Sequence, residues 1–116
     1  MDNIYISIDL NYDTLRIFKS AIKEMNTPKY VRLLIHEDGK SIMLEPYDRK
    51  TLTSFKVPKQ LYDERSSMRI YSKKLCEIIA HLCGWNSNQT YRVPGKLFKK
   101  QGIVLFDLTK AICMTI

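Results

Sequence analysis

The sequence predicts an α+β fold: two successive βαβββ units, with two helices packed on a mainly antiparallel sheet. Three observations point to it. Residues 4–10 alternate strictly between apolar and polar, the two-residue period of a half-buried strand. Two stretches carry apolar residues at helical spacing. The order strand, helix, strand, strand, strand occurs once in 4–57 and again in 68–116. The chain has 116 residues, 45% hydrophobic and 27% charged, which suffices for a core without staples and is unlike disordered or coiled-coil sequences. It reads as one domain, 1–116, with pseudo-repeat halves 1–57 and 67–116.

In the first strand, Ile4, Ile6, Ile8 and Leu10 share one face, while Tyr5, Ser7 and Asp9 share the other. Asp13 is placed to cap a helix. Leu15, Phe18, Ala21, Ile22 and Met25 recur at helical spacing through residue 25. Asn26-Thr27-Pro28 ends that helix, because a residue before proline avoids the α region. Tyr30–Ile35 is rich in strand formers, Glu37-Asp38-Gly39-Lys40 turns the chain, and Ser41–Leu44 returns. Thr53–Val57 reads as a further strand, and 58–66 as a polar connection.

The second half begins with a short strand, Met68–Tyr71. Ser72 is a good N-cap for a helix whose stripe is Leu75, Cys76, Ile78, Ile79, Leu82 and Cys83. Gly84 stands where a left-handed residue closes a helix, and Trp85 covers that end. Thr90–Val93 is a strand, Pro94-Gly95 a turn dipeptide, Ile103–Leu108 an apolar strand and 112–116 a last strand.

Charge is distributed unevenly. Lys+Arg is 19 against 12 Asp+Glu, a net of +7. Residues 1–57 hold nine Lys/Arg and eight Asp/Glu, whereas 58–116 hold ten and four, so the excess is +1 and then +6. Arg69, Lys73 and Lys74 gather around the start of the second helix. Arg92, Lys96, Lys99 and Lys100 surround Pro94-Gly95, interleaved with Tyr91 and Phe98. Lysine at a helix start opposes the macrodipole, and a bound phosphate would relieve that conflict; alternatively, the lysines simply solubilise the surface. These seven residues are the candidate phosphate or nucleic-acid site. Arg16, Lys19 and Lys23, at helical spacing, form a secondary basic face.

Catalytic and metal chemistry find no constellation. His36 and His81 have no Cys or carboxylate at ligand spacing. Asp9, Asp13, Asp48 and Glu77 make no acid/base pair. Cys76 and Cys83 lie roughly 10 Å apart along one helix face, too far to bond, and read as core residues. The expectation is a non-enzymatic protein without metal or cofactor. Three cysteines and an N-terminal region without a leader pattern suggest reduced thiols and a cytoplasmic setting, with no membrane association.

Two successive strand–helix–three-strand units resemble one domain of the DNA sliding clamp. That resemblance implies paired helices, with Arg16, Lys19, Lys23, Lys73 and Lys74 lining a concave surface, and self-association of copies through exposed sheet edges. Separately, the stretch Leu15…Asn26-Thr27-Pro28-Lys29-Tyr30-Val31…Leu34…Ile42…Glu45-Pro46, with Tyr91-Arg92-Val93 and Val104-Leu105-Phe106-Asp107-Leu108, is similar to short uncharacterised proteins of Firmicutes phages and mobile elements. No activity transfers from that group. The resulting expectation is an accessory protein that binds nucleic acid or another phosphate-bearing ligand through a basic surface. The alternative is an inhibitor of a host defence system, anti-CRISPR or similar, that grips a host protein or sequesters a signalling nucleotide.

Overall fold

The computed structural model describes residues 4–59, 61, 67–86 and 88–114. Nine strands run in chain order: β1 (Ile4–Asp9), β2 (Thr14–Phe18), β3 (Tyr30–Ile35), β4 (Ser41–Tyr47), β5 (Ser54–Lys56), β6 (Ser67–Tyr71), β7 (Thr90–Phe98), β8 (Ile103–Asp107) and β9 (Ile112–Cys113). Helix α1 (Lys19–Lys23) follows β2, and α2 (Lys73–Cys83) follows β6. The strands form one sheet in the order β5-β3-β4-β8-β7-β1-β2-β6, with β9 against β7. Every pairing is antiparallel, and the sheet curls into a nearly closed barrel.

The α+β class and the mainly antiparallel sheet agree with the sequence, but the layout of two βαβββ units does not. β7 and β8, from the second half, lie between β4 and β1, and β6 pairs with β2. The halves interleave within one sheet. The helices leave the barrel at opposite ends, α1 where β2 finishes and α2 where β6 finishes, because β2 and β6 run antiparallel.

The largest local correction concerns residues 14–18. Leu15 and Ile17 are fully buried, with Arg16 and Phe18 partly exposed between and beyond them, a two-residue period that belongs to a strand. Asp13 is therefore a turn residue at φ 51°, not a cap, and only 19–23 are helical. Asp9 Oδ1 accepts from Asn11 N at 3.0 Å and fastens the β1–β2 turn.

Pro94-Gly95 is also no turn, because β7 runs straight through it. Pro94 lies between the part of β7 paired with β9, Tyr91–Arg92, and the part paired with β8, Gly95–Phe98. Gly95 faces the interior opposite Phe106, and a Cβ there would meet the Phe106 ring at 2.7 Å. The missing side chain is thus the space that the largest fully buried side chain occupies.

Helix α2 follows the sequence at both ends. Ser72 Oγ accepts from Leu75 N at 3.2 Å, and Gly84 closes the helix at φ 67°. Trp85 N donates to Ala80 O at 2.9 Å, and its ring stacks on Tyr91 with centroids 4.0 Å apart. The predicted stripe is narrower than six residues. Cys76 and Ile79 are buried, whereas Ile78 and Leu82 are exposed. Leu61, in the connection read as polar, is fully buried beside the core that also includes Val57 and Ile22; residues 60 and 62–66 of that connection lie outside the described residues, as do 115 and 116 of the predicted last strand.

Candidate functional site

The pleat turns Ile6, Ile8, Leu15, Ile17, Met68, Ile70, Tyr91 and Val93 into the barrel. Their neighbours Ser7, Arg16, Arg69 and Arg92 therefore face outward. The register then aligns them. Arg92 is opposite Ser7, Ser7 is opposite Arg16, and Arg16 is opposite Arg69. Four adjacent strands thus carry a cross-strand row Arg92–Ser7–Arg16–Arg69, roughly 14 Å long at ordinary strand spacing.

This row has no internal neutralisation. Among the described residues, the ion pairs are Arg32–Glu45, His36–Asp38, Arg49–Asp48, Lys73–Glu77 and Lys110–Asp107, and none includes a member of the row. Arg16 and Arg69 stand directly opposite each other, an arrangement that destabilises a sheet. Arg92 leans over aromatic rings on the same outer face, 5.5 Å from the Tyr5 centroid and 5.8 Å from that of Phe18. Its Nε is buried and has no hydrogen-bond partner. A buried donor without an acceptor costs about 1–3 kcal/mol, more when charged, and, separately, an anion held between Arg16 and Arg69 would relieve their repulsion.

Three members of the row also line a groove of about 450 Å³, within the range of small-ligand sites. Ser7, Thr14, Arg16 and Arg69 line it, with Asp9 and Thr90 at the next register position toward the β1–β2 turn. Tyr12 and Tyr71 flank it and are 71% and 72% exposed. Thr14 is nearly buried, and its hydroxyl donates to Tyr12 O at 2.8 Å, which fixes the backbone under one of the two rings.

The seven basic residues read from the sequence do not share one surface. Arg69 and Arg92 belong to the row. Lys73 and Lys74 start α2 at the barrel end where β6 finishes, and Ser72 N donates there to Asp13 O at 2.9 Å. Lys99 and Lys100 sit beyond the opposite end, in the β7–β8 turn closed by Gly102 at φ 67°. Lys96 is on the outer face of β7 over Phe98, 5.7 Å from its centroid. Of the secondary face, Arg16 joins the row from β2, while Lys19 and Lys23 are on α1. Sequence reading missed Ser7, Tyr12 and Tyr71 as members. The available signal was the outward parity of Tyr5, Ser7 and Asp9, which the first strand's alternation already showed.

Cys76 is enclosed by apolar core, and that burial, aided by the Asp13 and Asp9 carboxylates, pushes its thiol up to about 12, so it stays protonated and inert at neutral pH. Burial also raises the Cys83 thiol, whose Sγ lies 3.7 Å from Gly39 O. Asp38 is held below the usual carboxylate range mainly by the Lys40 backbone N–H, with His36 contributing. Among the described residues, no three His, Cys, Asp or Glu side chains gather as metal ligands, and no helix is long and apolar enough to cross a membrane. No family model, curated protein or solved structure matches the chain.

Proposed function

We propose that the protein binds single-stranded nucleic acid across the outer face of β7, β1, β2 and β6. The observation that carries this reading is the row Arg92–Ser7–Arg16–Arg69, which takes part in no ion pair among the described residues. Guanidinium groups are the side chains suited to phosphate, because their fork of donors matches its oxygens. A row of roughly 14 Å exceeds one phosphate group and suits a chain of them. Exposed Tyr12 and Tyr71 beside it favour unpaired bases, whose faces stack on aromatic rings. Binding then combines counterion release along the backbone with stacking, and requires no catalytic group.

The test is fluorescence anisotropy of a labelled oligothymidylate over a range of salt. Three arginine contacts give a log–log salt slope of about −2 for a single strand. The triple variant R16Q/R69Q/R92Q loses that slope and most of the affinity. Binding that ignores salt, or that survives the triple variant, rejects this face as the site.

A further inference from the structure

We infer that the groove lined in part by the arginine row is a base-reading subsite that prefers guanine, with Asp9 as the reading group and Tyr12 and Tyr71 as the stacking walls. This inference rests on the single-strand reading above. Among the described residues that line the groove, Asp9 is the only carboxylate. Beside Arg16 and Arg69 in that groove it is out of place in a pure phosphate site, since it repels the phosphate that the arginines attract. It also makes no ion pair with Arg16 or Arg69, although they occupy the adjacent register position on the same face. The carboxylate is therefore free for a neutral group that donates hydrogen bonds.

Asp9 Oδ1 accepts from Asn11 N, which fixes the side chain's orientation. A carboxylate oxygen can accept more than one hydrogen bond, and Oδ2 has no partner among the described residues. Two acceptors side by side match two donors side by side. Guanine offers them on its Watson–Crick edge as a ring N–H and an exocyclic amino group. Adenine and cytosine present a single amino group there beside an acceptor, and the thymine N–H lies between two carbonyls that the carboxylate repels. The hydroxyls of Ser7 and Thr90 at the same groove add polar contacts without charge. The two tyrosines flanking the opening supply the faces against which an unstacked base rests.

The experiment compares short oligothymidylates that are all-dT or carry a single central dG, dC or dA. Wild-type protein should bind the dG oligonucleotide about tenfold more tightly than all-dT, and more tightly than the dC and dA versions. In Asp9→Asn, which keeps an oxygen to accept from Asn11 N, the four affinities should fall within about twofold of one another. Binding of all-dT by that variant should hold or strengthen, because a negative charge is gone. Equal affinities in wild type with the salt slope intact, or a preference for dC or dA, overturn the guanine subsite and leave the arginine row standing. Absence of binding to all four at low salt overturns both readings.

Discussion

At the scale of single residues, the candidate site departs from what stability alone would select. Arg16 and Arg69 share a cross-strand position without a carboxylate between them. By contrast, Arg32 on β3 is satisfied by Glu45, its register partner on β4. The same sheet therefore solves the arginine problem in one place and leaves it unsolved in another. Substituting Arg69→Gln should leave thermal stability unchanged or raise it by up to about 1 kcal/mol, because it removes a like-charge pair from an exposed position. The same change should reduce the salt slope of oligonucleotide binding by about 0.7. Chemical denaturation and anisotropy read the two effects separately. A loss of stability beyond about 1 kcal/mol would make Arg69 a structural residue instead.

At the scale of elements, legibility depended on whether one pattern stood alone. β1, β3, β8 and α2 each carry an unambiguous period or an unambiguous pair of ends, and their positions follow directly from the residues, whereas β4, expected over Ser41–Leu44, continues through Pro46 to Tyr47 against β3. Residues 14–25 carry two patterns at once. Leu15, Phe18, Ala21, Ile22 and Met25 satisfy a helical period, while Leu15 and Ile17 around Arg16 satisfy a strand period. Pairing with β1 and β6 decides between them, and neither partner is local to the segment. Pro94-Gly95 misleads for a related reason. The dipeptide favours turns in isolation, but here each residue answers a tertiary demand, a change of strand partner at Pro94 and the Phe106 ring at Gly95. Gly95→Ala should therefore cost about 1–3 kcal/mol through overpacking, although no positive φ is involved. Pairing it with Phe106→Leu should recover part of that loss, a coupling that a double-mutant cycle measures by denaturation. Additive losses in the double variant would show that Gly95 is required for its backbone and not for the ring.

At the scale of the whole molecule, charge has two separable parts, a local row and a diffuse field. Sequence reading could find the diffuse part, because net charge and its bias toward residues 58–116 are sums. It could not assemble the row, since Ser7, Arg16, Arg69 and Arg92 become neighbours only through the register of four strands. Lys99 and Lys100 belong to the field. Lys99 lies seven steps of mostly extended chain beyond Arg92, roughly 23 Å, well beyond the Debye length of about 8 Å at physiological salt. Reversing both lysines to glutamate changes the net charge from +7 by −4, to +3. In low salt this should slow association with an oligothymidylate several-fold, because long-range steering scales with the protein's field. Dissociation should be unchanged if the strand lies on the arginine row as proposed. As salt rises to physiological strength, the difference in association rate should vanish while the arginine variants remain defective. Stopped-flow kinetics at two salt concentrations separates these outcomes. Faster dissociation in the Lys99→Glu, Lys100→Glu variant would extend the footprint of the strand past Lys96 to the β7–β8 turn.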